Sequence, residues 1–162
     1  MPTVDSYIGI GSNLADPRQQ VLDVLPRLGQ IRDTQLVKHS SLYQTEAISD
    51  IEQEDYVNAV ACLRTKLTPT QLLLELQAIE YAFYRQRSYD VKWAPRTMDL
   101  DILLYGNEKM KDTHLTIPHA EMQNRLFVLE PLREISGDIY IAGLGSLDYL
   151  IKHAPTMRIR KL

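Results

Sequence analysis

Asp99 and Asp101 stand two residues apart in the run Met98-Asp99-Leu100-Asp101-Ile102-Leu103-Leu104-Tyr105. A period of two is the strand repeat, in which residues i and i+2 share a face. The pattern predicts a strand with Met98, Leu100, Ile102 and Leu104 turned to a core and both carboxylates on the opposite face. Side-by-side carboxylates repel and raise one another's pKa, and a divalent cation relieves that repulsion. Oxygen ligands with no Cys/His cluster suit Mg²⁺ rather than Zn²⁺. Lys92, Trp93 and Arg96 lie just upstream and put positive charge and a stacking surface beside the carboxylates. That set suits the phosphate chain of a nucleotide. An isolated Asp-x-Asp is usually a solvated strand face; the Pro95-Arg96-Thr97 approach and the apolar strand around it favour a site.

Arg85, Arg87, Lys92 and Arg96 fall in one short stretch before this strand. Guanidinium groups bind phosphate oxygens bidentately and stabilise charge in phosphoryl transfer. Gly9 and Gly11-Ser12-Asn13 invite a phosphate-loop reading, but the full phosphate-loop and dinucleotide patterns are absent, so a plain strand-to-helix turn is the expectation. His119, in Ile117-Pro118-His119, has no metal-ligand spacing to His39, His114 or His153 and would act by hydrogen bonding. Tyr56 and Asn58 share a strand face and could present a ring and an amide to one planar ligand.

The elements that must position these residues follow from local pattern. Ser6–Ile10 reads as a strand. Asp16-Pro17 reads as a cap and first helical residue, with Val21, Leu22, Leu25 and Leu28 as the apolar face, Gly29 as the stop and Pro26 as an internal conflict. Leu36–Thr45 and Tyr56–Thr65 read as strands, with a polar, acidic loop over 46–55 between them. Thr68-Pro69-Thr70-Gln71 is a capping box. It opens a helix whose face is Leu72, Leu73, Leu76, Ile79 and Phe83. Residues 85–92 read as a mobile basic loop before the acidic strand. Later come a helix near Leu126–Ile135, a strand at Ile139–Ala142 and a helix at Leu147–His153. Strand, helix, strand, strand, helix, strand is the split βαβ order. The expectation is an α+β, ferredoxin-like βαββαβ sandwich with a mostly antiparallel sheet and helices packed on both faces.

The 162 residues predict one domain, 1–162, burying roughly 70% of its unfolded surface. A net charge of −3 argues against a general nucleic-acid partner. No apolar run approaches a membrane span, and the first residues lack a signal-peptide pattern. The single cysteine, Cys62, sits in an apolar run and reads as a core thiol. The resulting expectation is a soluble, cytoplasmic monomer with no fused second enzyme.

Together these segments resemble the 6-hydroxymethyl-7,8-dihydropterin pyrophosphokinase (HPPK) family of folate biosynthesis. Lys92-Trp93-Ala94-Pro95-Arg96-Thr97-Met98-Asp99-Leu100-Asp101-Ile102-Leu103 matches its signature throughout. The openings around Tyr7–Leu14, Ser41–Thr45, Tyr56–Ala59, Leu115–His119 and Asn124–Phe127 are similar to other family segments, so the resemblance spans about residues 4–136. It implies transfer of a pyrophosphoryl unit from ATP to 6-hydroxymethyl-7,8-dihydropterin, leaving AMP. Asp99 and Asp101 would hold two Mg²⁺ ions, and Arg85 and Arg96 would act with them as catalytic residues clamping the triphosphate. ATP would be bound by Gln77, Glu80, Arg85, Arg87, Lys92, Arg96, Ile102, Thr116, His119 and Arg125. The pterin would lie against Thr45, Glu46, Ala47, Ile48, Tyr56, Asn58, Trp93 and Phe127. The basic loop would be the family's lid.

The chain departs from the family pattern at several places. Tyr84 stands where the lid often has Gly, and the lid is one residue longer. Lys92 replaces a common Arg and loses its fork. Thr45-Glu46-Ala47-Ile48 replaces a Pro-rich stretch. His114 and Ala120 replace a basic and an aromatic residue. No departure removes a predicted metal ligand. They motivate one competing reading, a nucleotide- or pterin-binding module without turnover. The fold order motivates another, an RNA-binding module, against which the acidic charge and the lack of an aromatic RNA-binding strand argue.

Overall fold

The computed structural model describes residues 2–45, 55–87 and 97–162, the side chains of residues 86 and 87 excepted. The first strand, β1 (Val4–Ser12), extends past both ends of the expected Ser6–Ile10. α1 (Pro17–Gly29) begins at the expected proline and runs through Pro26 to Gly29. Its cap differs from expectation: Asp16 is left-handed (φ 55°) and makes no side-chain capping bond. Instead its carbonyl accepts Gln20 N at 3.1 Å. The buried face is Val21, Val24, Leu25 and Leu28, the i, i+3, i+4, i+7 stripe. Leu22 falls off that stripe and is 40% exposed.

The one strand expected over Leu36–Thr45 is two, β2 (Thr34–His39) and β3 (Tyr43–Thr45). Both pair antiparallel with β4 (Tyr56–Thr65), the third expected strand. Ser40 lies at the break and takes over part of the ladder. Its N–H donates to the Val60 carbonyl at 2.8 Å, and its Oγ accepts Val60 N at 2.9 Å. The chain can therefore kink without leaving the backbone of β4 unpaired.

α2 (Pro69–Arg87) starts with the reciprocal capping box. Thr68 N donates to Gln71 Oε1 at 3.0 Å, and Gln71 N donates to Thr68 Oγ1 at 3.2 Å. The helix runs on through Arg87, so Arg85 and Arg87 sit on its last turn rather than in a loop; the rest of the expected lid, 88–92, lies outside the described residues. β5 (Met98–Tyr105) is the acidic strand. A hairpin of β6 (Met110–Lys111) and β7 (Thr116–Ile117) follows, then a 3₁₀ turn at Met122–Asn124 and α3 (Leu126–Ser136). The chain closes with β8 (Tyr140–Ile141), β9 (Gly145–Ser146), α4 (Leu147–His153) and β10 (Ile159–Lys161).

The main sheet has the order β10-β3-β4-β1-β5, with β2 also on β4, and every pairing is antiparallel. One core lies between the sheet and α1 and α2, built on Ile8, Ile10, Leu28, Leu72, Leu76, Phe83, Met98, Leu100 and Ile102. A second lies on the other face under α3 and α4, built on Val60, Leu103, Leu104, Leu129 and Leu132. This is the α+β sandwich expected, with helices on both faces.

One expectation on β5 is overturned. Leu104 does not share a core with Met98, Leu100 and Ile102 but packs in the second. Tyr7 pairs with Leu104 while Ile8 pairs with Ile102, so Leu103 is an extra residue in β5. This bulge reverses the alternation beyond it. Tyr105 consequently turns to the first core, where its hydroxyl donates to the Leu67 carbonyl. Among the described residues no helix is long and apolar enough to cross a membrane.

Leu76 is fully buried between α2 and the sheet. Leu76→Ala should lower unfolding free energy by about 2–5 kcal/mol, by lost transfer energy and the cavity left behind. Urea denaturation of both proteins measures it, and a loss below about 1 kcal/mol would mean the helix can settle into the gap.

Candidate active site

The site begins with a register. Gly11 pairs with Asn58 on one side and Asp99 on the other, and Gly9 pairs with Asp101. Directly paired residues share a face, so Asn58, Asp99 and Asp101 flank two positions without side chains. The glycines are needed for space. A Cβ at Gly11 would stand 2.9 Å from Asn58 Oδ1, and one at Gly9 would stand 3.2 Å from Leu103 Cδ2. They are thus not the plain strand-to-helix turn expected from sequence; they lie within β1 as the floor of a cavity.

That cavity has a volume of about 310 Å³. Asp99 and Asp101 open into it together with Thr45, Tyr56, Asn58, Arg125 and Phe127. Asn58 is almost fully buried, and its Nδ2 donates to Thr45 Oγ1 at 2.9 Å. The bond fixes the amide, with its oxygen on the Gly11 side. Arg125 precedes α3 and its guanidinium lies 5.8 Å from the centre of the Phe127 ring. The cavity therefore combines ring and apolar surface with carboxylate and guanidinium charge.

The charged form of Asp99 is disfavoured where it stands. Packing raises the Asp99 carboxyl above its usual range; the Thr97 hydroxyl opposes this, the Asp101 charge adds to it and Arg125 offsets it. Thr97 Oγ1 donates to Asp99 Oδ2 at 3.0 Å. On the α2 side, Asp99 also borders a second pocket of about 320 Å³ with Gln77, Glu80 and Thr97. Glu80 Oε2 accepts Leu100 N at 2.7 Å. Burial nevertheless pushes the Glu80 carboxyl up to about 7, with the Asp99 and Asp101 charges adding to the rise.

His119 lies in a neighbouring groove with Thr116. Burial lowers its pKa, the Asp101 charge opposes that, and Arg125 lowers it further. Its Nδ1 accepts Glu121 N at 3.2 Å. The neutral ring so placed carries its proton on Nε2 and can donate it to a ligand.

Other expected residues are not gathered here. Arg85 is exposed, its guanidinium 5.7 Å from the Tyr81 ring centre and its Nη1 donating to Tyr81 Oη at 3.3 Å. It does not line the cavity with the aspartates. Ile102 is buried in the first core, leaving only its backbone for a ligand. Glu46, Ala47, Ile48, Lys92, Trp93 and Arg96 lie outside the described residues, as does the side chain of Arg87. Sequence reasoning missed Val128 and Met157 in the cavity wall. Val128 could have been found from α3 periodicity; Met157 carries no local signal.

Among the described residues no group of three or more His, Cys, Asp or Glu forms a metal site. Two carboxylates on one cavity wall still fit Mg²⁺, which takes one or two carboxylates plus substrate phosphates and water rather than an all-protein cage.

The same fold occurs in an HPPK-DHPS chain solved in complex with substrates, with a TM-score of 0.73 over 94% of this chain at 12% identity. This chain spans 43% of that one. Sequence places the protein more narrowly. Residues 7–137 match the 7,8-dihydro-6-hydroxymethylpterin-pyrophosphokinase (HPPK) family. The chain is 43% identical, over 98% of each chain, to the 2-amino-4-hydroxy-6-hydroxymethyldihydropteridine pyrophosphokinase of Haemophilus influenzae. It is 40% identical to that of Pseudomonas aeruginosa, over 96% of this chain and 95% of the relative. The chain belongs to the HPPK family.

A raised carboxyl pKa has a consequence for folding. Between the usual 4.5 of glutamate and about 7, the folded, metal-free chain holds a proton on Glu80 that the unfolded chain has lost. The native state binds more protons there, so stability falls as pH rises through that window. Glu80→Gln keeps an oxygen for Leu100 N and should remove this part of the slope. It should be more stable than wild type at about pH 8, though not at about pH 4. Parallel urea curves for the two proteins across that range would show that Glu80 titrates normally.

Proposed function

We propose that the chain transfers the β,γ-pyrophosphoryl unit of ATP to the hydroxymethyl oxygen of 6-hydroxymethyl-7,8-dihydropterin. The new bond forms between that oxygen and the β-phosphorus, the hydroxyl proton passing to solvent; the bond from the β-phosphorus to the bridging oxygen of the α-phosphate breaks. AMP leaves with that oxygen. The observation that carries the reading is the joint opening of Asp99, Asp101, Asn58, Phe127 and Arg125 into one cavity. The names of the relatives above supply the substrate class.

The pterin would lie in the cavity against the aromatic rings. Phe127 and Tyr56 would pack against its faces, and Asn58, its amide fixed by Thr45, would accept from its polar edge. This orients the hydroxymethyl group toward the aspartates. The nucleoside would lie toward the second pocket, against Gln77 and Glu80. Arg125 would meet phosphate from the cavity, and the Nε2 proton of His119 would bond an oxygen of the nucleotide. Arg85, Arg87, Lys92 and Arg96 would add charge from the lid, with Trp93 and Glu46–Ile48 closing the pterin side. Asp99 and Asp101 would hold two Mg²⁺ ions, whose chemistry is charge neutralisation on the phosphates and activation of the attacking hydroxyl. The protein's own contribution is then position, preorganised charge and exclusion of water. A single-domain, cytoplasmic monomer completes the proposal.

Purified protein with Mg·ATP should release AMP only when 6-hydroxymethyl-7,8-dihydropterin is present. Asp99→Ala should lower that rate by about 100- to 1000-fold or more, in the range seen when one transition-state charge stabiliser is removed. Separation of the nucleotides by ion-exchange chromatography reads both. ADP as product would replace pyrophosphoryl by single phosphoryl transfer, and ATP binding without any product would leave a binding module.

A further inference from the structure

The C-terminal segment carries no motif, yet it reaches the cavity. Met157 is half-buried and lines the same space as Asp99, Asp101, Asn58 and Phe127. Two residues on, β10 pairs with β3: Ile159 opposite Thr45, Arg160 opposite Gln44 and Lys161 opposite Tyr43. Further bonds fasten the segment. Leu162 N donates to the Leu42 carbonyl at 2.8 Å, Arg160 Nη2 donates to Gln44 Oε1 at 2.7 Å, and Lys161 Nζ lies 3.9 Å from Glu134 Oε1. Gln44 in turn donates from Nε2 to Asp55 Oδ2 at 2.9 Å. The partner of Ile159, Thr45, is the residue that holds the Asn58 amide.

We propose that Met157 is a positioning residue for the heterocyclic substrate, held against the cavity by β10, and that it sets how tightly that substrate is bound. Its thioether is unbranched and polarizable, suited to pack on the face or edge of a flat ring. Phe127 and Tyr56 contribute other apolar surface to the same space. The ladder between β10 and β3 gives the contact its precision, because it ties Ile159, two residues after Met157, to the strand that ends in Thr45. A nucleotide on the α2 side of Asp99 would not meet Met157, which does not border that pocket. The proposal rests on the substrate reading above.

Steady-state kinetics and fluorescence titration with 6-hydroxymethylpterin test it in the full chain. Met157→Ala should raise KM for the dihydropterin, and weaken binding of the fluorescent pterin, by about tenfold, the equivalent of roughly two buried methylenes. KM for ATP, kcat and thermal midpoint should stay near wild type, and Met157→Leu should restore most of the affinity. An unchanged KM for the dihydropterin in Met157→Ala would overturn the role. So would an equal loss in both KM values together with a lowered thermal midpoint, which would mark a merely structural side chain. Wild-type protein without pterin-dependent AMP would overturn the substrate reading and this proposal with it. Normal wild-type turnover with an indifferent Met157→Ala would overturn this proposal alone.

Discussion

The whole site depends on the register of β1 between β4 and β5. Ile8 and Ile10 point into the first core while Gly9 and Gly11 point into the cavity, so Asn58, Asp99 and Asp101 must stand around them. Slipping β5 by one residue would turn both carboxylates into the core of α1 and α2 and expel Met98, Leu100 and Ile102 from it. Unpaired charges there would cost several kcal/mol each. The apolar residues of the strand therefore fix the polar ones. Core packing on one face determines ligand geometry on the other, and the two cannot be varied separately.

The bulge at Leu103 extends that control to residues far along the chain. It lets two successive leucines of β5 join the second core, which Leu129 and Leu132 of α3 also build. It also directs the Leu103 carbonyl to the His119 N–H, at 3.0 Å. The segment carrying Thr116 and His119 is thus hung from the same strand that carries the aspartates. A few residues later the chain enters α3, whose start presents Arg125 and Phe127 to the cavity. One irregularity in a ladder links the acidic strand, the histidine and the arginine.

Much of this was legible locally. Period two in β5 placed Asp99 and Asp101 on a common face, and Thr68 with Gln71 marked the start of α2 correctly. Such signals are contained within a few residues. The misses share a different cause. Whether Leu104 follows Leu100 or Leu103 depends on how Tyr7 and Ile8 pair, which no pattern within β5 encodes. The break at Ser40 depends on a serine replacing ladder bonds to Val60, twenty positions away in sequence. Gly9 and Gly11 read as a turn because space is visible only when Asn58 and Leu103 are in place. β10 and Met157 are invisible for the same reason: a three-residue edge strand is specified by its partner, not by its own composition.

The electrostatics of the site also bear on what can bind there. Packing raises both the Asp99 and Glu80 carboxyls, and neighbouring negative charge adds to each. Arg125 offsets part of this at Asp99. A bare triphosphate brought to this wall would add several negative charges to two aspartates, and Coulomb repulsion at a few ångströms is worth several kcal/mol at effective dielectrics near a protein surface. Arg125 sets one opposing charge on the cavity wall. On the proposed reading, the lid residues Arg85, Arg87, Lys92 and Arg96 and the cations that Asp99 and Asp101 would hold supply the balancing charge. The register that sets Asp99 beside Asp101 thus also fixes the electrostatic cost at Asp99, which an opposite charge brought to that wall would relieve.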